Sequence, residues 1–143
     1  MNISRNLELG LVADLCDSLL VHHNNVENVV MASVSNINAA SAFRFVNMGP
    51  GLEVSNNLIQ NFGVDSLWTA GGTISHRISG LRFEGHIPGA KVTGNLIRGI
   101  NGPQAKVTHL DPWFEITGIY DIANFQYPTE QITYAHNSIF IDG

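Results

Sequence analysis

The sequence predicts an all-β chain of stacked coils, and three observations carry the prediction. The first is a repeat. FRFVNMGPGLEVSNNLI at 43–59 lies on LRFEGHIPGAKVTGNLI at 81–97 after a shift of 38 positions. Arg44, Phe45, Pro50, Gly51, Val54, Asn57, Leu58 and Ile59 return as Arg82, Phe83, Pro88, Gly89, Val92, Asn95, Leu96 and Ile97. Chance gives about one identity over such a stretch at ordinary residue frequencies. The shift also carries Ile78-Ser79-Gly80 onto Ile116-Thr117-Gly118. The second observation is the period within each copy, which alternates apolar and polar as strands do and contains no i, i+3, i+4, i+7 stripe. The third is a frame shared by four asparagines, Asn24, Asn57, Asn95 and Asn137, each three residues after an apolar or aromatic residue and two before an aliphatic one.

Within a copy the spacing reads strand, turn, strand, corner, strand. Phe43 and Phe45 (Leu81 and Phe83) alternate with polar residues on a half-buried strand. Pro-Gly at 50–51 and 88–89 marks a tight turn. Leu52 and Val54 (Ala90 and Val92) alternate again. Asn57 or Asn95 then supplies a side chain that tolerates the left-handed backbone of a sharp bend. Ile59 or Ile97 turns inward after it. Three short strands per turn, with like residues one turn apart, describe a parallel β-helix in which equivalent strands lie about 4.8 Å apart, a β-roll or another solenoid of the same 38-residue period being the alternative. Phe45 is expected on Phe83, Val54 on Val92 and Ile59 on Ile97, with the asparagines in an internal ladder.

The flanks follow the same pattern more loosely. Residues 1–32 read as a compressed first coil, in which Leu7, Leu9 and Leu11 alternate and 14–18 form a turn before Leu19. Val34 and Ile37 are expected inward in the next stretch. The section 120–131 carries a four-residue insertion relative to the repeat and the aromatics Tyr120, Phe125 and Tyr127.

The frame V-x-x-N-x-I, with asparagine at a strand corner in coils of this kind, resembles the right-handed parallel β-helix superfamily of pectate lyases, polygalacturonases and bacteriophage tailspike depolymerases. The resemblance spans roughly residues 7–143. It implies a right-handed helix of about four coils, an asparagine ladder that is scaffolding, and chemistry on the outer face. It further implies a polysaccharide or oligosaccharide partner and a place outside the cell or on a virion surface; a homotrimer or other oligomer is expected from the open strand edges and the low surface charge. The aspartate clusters of the polygalacturonases and the calcium-aspartate and arginine arrangement of the pectate lyases are not reproduced here.

Composition sets bounds around that reading. At 143 residues the chain suits a single domain. Both ends read as open strand edges, so a fragment, or one segment of a larger multi-chain assembly, is expected. Charged residues make up 13% and the formal net charge is −5, which argues against nucleic acid as a partner. No apolar stretch approaches a membrane span. The single cysteine, Cys16, excludes internal disulfides and is expected to fill a core position. The neighbours His22 and His23 lack a third ligand of fixed spacing, so no metal is expected, and no cofactor.

The surplus length of each coil falls at 63–79 and 101–117, equal in length and nearly unrelated in sequence. Where a scaffold repeats and one excursion varies, function can reside in the excursion. The first holds Asp65, Trp68, His76 and Arg77; the second holds His109, Asp111, Trp113 and Glu115. Tryptophan faces stack on sugar CH surfaces, and the polar groups bond hydroxyls or carboxylates. The same tryptophans could equally roof the core beneath the loops. Cleavage needs two carboxylates about a glycosidic bond, or a base beside a cation for elimination. Asp111 with Glu115 could form the pair, joined by Asp65 and by His109, which would project beside Asp111. Trp68, Trp113, Arg77 and Arg82 are the candidate substrate contacts. Arg44 above Arg82 is a like-charge rung that needs an answer, from Glu84, Glu53 or a bound anionic sugar. Glu53 over Lys91 is the favourable counterpart. Two functions are expected in competition: a polysaccharide-recognising β-helix, with or without a lyase or hydrolase activity, and a passive structural segment of a fibre or spike.

Overall fold

The computed structural model describes residues 9–31, 34–35, 39–64, 67–68, 76–101, 114–123 and 131–141. Fourteen strands are described: β1 (Leu9–Asp14), β2 (Leu20–His22), β3 (Asn25–Met31), β4 (Val34–Ser35), β5 (Ala39–Val46), β6 (Glu53–Ser55) and β7 (Leu58–Val64), then β8 (Leu67–Trp68), β9 (His76–Glu84), β10 (Lys91–Thr93), β11 (Leu96–Asn101), β12 (Phe114–Asp121), β13 (Thr133–Ala135) and β14 (Ser138–Phe140). Twelve of them form three four-stranded sheets, A in the order β1-β5-β9-β12, B in the order β2-β6-β10-β13 and C in the order β3-β7-β11-β14, and β4 and β8 form a two-stranded sheet. Every pairing is parallel. The all-β architecture is compatible with a parallel β-helix of triangular section.

The repeat sets the register. Arg44 pairs Arg82, Val54 pairs Val92, Ile59 pairs Ile97 and Ile78 pairs Ile116, each 38 positions apart. The first rung is shorter, with Leu11 on Phe43 and Val21 on Val54, offsets of 32 and 33. The last step is longer by the four inserted residues, since Val92 pairs Tyr134 at an offset of 42. Inward residues stack by kind: Val54 on Val92, Ile59 on Ile97 and Phe62 on Ile100 are fully buried. The Phe45 and Phe83 rings stack at 5.3 Å and 18°. Burying such side chains contributes roughly 1.5–3 kcal/mol each. Cys16 is only partly buried and packs against the edge of this core.

The asparagine ladder is continuous. Asn24, Asn57 and Asn95 each donate backbone N–H and side-chain Nδ2 to the Oδ1 of the asparagine one rung on, over 2.9–3.1 Å. The Nδ2 of Asn57, Asn95 and Asn137 also donates to the carbonyls of Val21, Val54 and Val92. The bend itself lies one residue earlier than the sequence suggests. The left-handed residues are His23, Asn56, Gly94 and His136, with φ of 54–65°. One such residue turns the chain and aims the next side chain, the asparagine, into the core.

All the left-handed residues described fall in four such rows. Leu15, Asn47 and Gly85 form one; Ser18, Gly51 and Gly89 another; Asn28, Asn61 and Gly99 the fourth. Glycine has a second reason at Gly94, where a Cβ would lie 2.5 Å from Asn56 Oδ1 of the coil before. The residues at Asn28, Asn61 and Gly99 also explain why β3, β7 and β11 bend without ending.

Candidate functional site

Charge gathers on the outer face of sheet A. On β9 Ile78, Leu81 and Phe83 are buried, the alternation changing phase between Ile78 and Leu81, while Arg77, Arg82 and Glu84 are only partly buried and lie on the outer side. Glu84 carries two arginines: Arg44 Nη2 lies 2.7 Å from its Oε2, and Arg82 Nε donates to its Oε1. The Arg44–Arg82 rung is therefore answered by Glu84. Arg77 pairs Glu115, its register partner on β12, at 2.5 Å. Tyr120, the register partner of Arg82, lies between the groups, with the Arg77 guanidinium 3.8 Å from its ring centroid and that of Arg82 5.3 Å away. Such cation–π contacts contribute about 0.5–2 kcal/mol each. The strip holds three of the chain's seven basic residues against two carboxylates, in a protein of net charge −5. Arg82 Nη1 is buried with no partner among the described atoms.

Arg77 and Glu115 are strand residues and not loop residues as the sequence suggests. β9 begins at His76 and β12 at Phe114, because the alternation that buries Ile78 already holds there. The excursions themselves begin to stack: β4 and β8 pair in parallel, Val34 on Leu67 and Ser35 on Trp68, so the first two coils lie side by side on this flank. Of the candidate site residues, Asp65, His109, Asp111 and Trp113 lie outside the described residues, as does the side chain of Trp68. Arg77, Arg82 and Glu115 are brought together in the strip. Tyr120 was not among the candidates, although its distance of 38 from Arg82 was the available signal.

Other polar features are structural. His22 and His23 share a 2.9 Å Nδ1–Nδ1 hydrogen bond at an exposed corner, and no group of three metal-ligating side chains occurs among the described residues. Ser41 and Ser79 hydrogen-bond at 2.9 Å inside sheet A. Tyr134 donates to Asp121 Oδ2 at 2.6 Å. Partial burial, then the hydrogen bond and charge of Asp121, push the Tyr134 hydroxyl far above the ordinary tyrosine range. Among the described residues no helix is long and apolar enough to cross a membrane.

Comparison with protein-family models, curated proteins and solved structures finds no match for this chain.

Proposed function

We propose that the chain is a right-handed parallel β-helix that recognises a polysaccharide along the outer face of sheet A and the adjoining flank of excursions. One observation carries this: Arg44, Arg82 and Tyr120 form one row along the stacking direction with Arg77 over the Tyr120 ring, and a buried guanidinium nitrogen of Arg82 has no partner among the described residues. A polymer laid across the rungs would meet an aromatic ring edge and donors suited to hydroxyls or carboxylates. Trp68 and Trp113 would extend the platform. Cleavage would require Glu115 to leave Arg77 and act with Asp111 or Asp65, with His109 in reach. A trimer displayed outside the cell or on a virion is the matching assembly. The test is a glycan array and a depolymerisation screen on the wild-type chain, Arg77→Ala and Tyr120→Ala. Binding of a glycan by the parent, weakened at least tenfold in both variants, is the expected result; no glycan bound by the parent removes the reading.

A second reading rests on the same strip. Both of its glutamates are engaged by arginines, so it also suits a structural segment of a fibre or spike that staples rungs together. Loss of fold in Arg77→Ala without any glycan binding by the parent supports that outcome.

A further inference from the structure

The histidines of the first corner are paired in a way that no other described rung repeats. His22 ends β2 as an exposed residue beside the buried Val21, and His23 makes the left-handed bend with φ of 55°. At the same two places the later rungs carry Ser55 and Asn56, Thr93 and Gly94, and Ala135 and His136. The Nδ1 atoms of His22 and His23 lie 2.9 Å apart. Their ring centroids are 5.2 Å apart, which is that separation plus one ring radius at each end, and the ring planes cross at 81°. The two Nδ1 atoms therefore face each other along one line. The backbone beneath them is clamped. His23 N–H donates to Ser55 O at 3.2 Å, and Asn24 Nδ2 donates to His22 O at 3.2 Å while Asn57 ties Asn24 into the ladder. Every group that shapes the pair belongs to the first two rungs.

We infer that His22 and His23 form a binding site for a soft monovalent metal ion, copper(I) or its analogue silver(I), held in line between the two Nδ1 atoms. The ligand set selects the ion. Structural zinc takes four ligands in a tetrahedron and copper(II) prefers a tetragonal set, and no third His, Cys, Asp or Glu joins the pair among the described residues. The missing third ligand excludes those ions and leaves copper(I), which is satisfied by two ligands on a line and accepts imidazole. Two nitrogens at about 2.0 Å from such an ion stand about 4 Å apart. The exposed rings thus need to open by about 1 Å, along the line on which they already lie. In the hydrogen bond that steadies this corner, one Nδ1 carries the proton and the other accepts it. Metal takes the place of that proton, which moves to Nε2 of the same ring by way of solvent. One hydrogen bond breaks, two nitrogen–metal bonds form, and no electron is transferred.

The probe is silver nitrate in chloride-free buffer, titrated into the full 143-residue chain labelled with ¹⁵N at histidine. Cys16→Ser is the background, because a partly exposed thiol would compete for a soft ion. One equivalent of silver should shift the Nδ1 resonances of His22 and His23 together and leave both rings with the proton on Nε2. Copper(I), kept reduced with ascorbate under nitrogen, should displace the silver, and equimolar zinc should not. His22→Ser and His23→Asn install the residues that the next rung carries at these places, so the corner keeps its backbone. Each should weaken silver binding at least tenfold, and His136→Ala should leave it unchanged. Unfolding the chain in urea should also weaken it at least tenfold, since the clamped backbone then no longer aligns the rings. The parent spectrum decides the matter even where a variant misfolds. Silver bound through Nε2, silver spread over the other histidines, displacement by zinc, or full affinity in His22→Ser would each overturn the proposal.

Discussion

Asn95 shows how much one side chain holds. Its Oδ1 accepts two protons from Asn57, and its own amide reaches both Val54 O and Asn137 Oδ1. Asn95→Leu leaves those buried groups without partners, each costing about 1–3 kcal/mol. Denaturant melts should show a loss of roughly 2–4 kcal/mol, and an unchanged midpoint would remove the ladder from the account. Gly80 makes a steric counterpart. A Cβ there would lie 2.8 Å from both Gly118 O and Ile97 Cγ2, where neither the backbone nor the packed isoleucine can give way easily. Gly80→Ala should destabilise by about 1–3 kcal/mol through overpacking. Tyr134 gives a pH dependence. Because its folded pKa is raised, its contribution is complete below the unfolded tyrosine value of about 10 and is lost as pH climbs above it. Thermal melts between pH 9 and 11 should therefore fall more steeply for the parent than for Tyr134→Phe; parallel curves would show that the phenol is immaterial. The asparagines were legible in the sequence because a ladder demands identity at a fixed interval. The left-handed residues were not, since His23, Asn56, Gly94 and His136 share a backbone angle and no side-chain chemistry.

Among the elements, sheet A is where sequence and structure part company most usefully. The period of 38 placed β5, β9 and β12 in register, and with them Arg44 over Arg82. What the period could not convey is which outward residues answer one another. Arg77 and Glu115 stand 38 apart and pair across neighbouring strands, so as potential site residues they compete with each other before any ligand does. Tyr120 is not legible as a site residue because tyrosine does not repeat: arginine stands at the same place in the two preceding coils. Glu84 is the hinge of this face, holding Arg44 and Arg82 together. Glu84→Gln leaves two stacked guanidiniums unanswered, and a loss of about 1–2 kcal/mol is expected. Salt screens that repulsion. The deficit should therefore shrink between about 0.05 and 1 M sodium chloride, and a salt-independent deficit would point to lost packing and not to charge.

At the scale of the whole molecule, the register predicts which lengths of chain can be removed. Each rung contacts the rungs beside it, so stability is close to a sum over rungs and interfaces. Deleting 54–91 removes 38 residues and joins Glu53 to Val92, the partner of Val54. Val21 then lies under Val92, Asn24 meets Asn95 as it met Asn57, and Arg44 faces Tyr120 across a shortened sheet A. The ladder and the inward rows survive with one rung fewer. This variant should keep a β-sheet circular dichroism spectrum and a cooperative melt, at a lower temperature than the parent because about a third of the described buried hydrophobic residues are gone. Deleting 54–90 removes one residue less. Lys91 then takes the inward place of Val92, and each later side chain of that strand turns to the wrong face. That chain should fail to give a cooperative transition. If both deletions melt alike, the strands choose their partners by hydrophobic content alone, and the 38-residue register does not specify the stack.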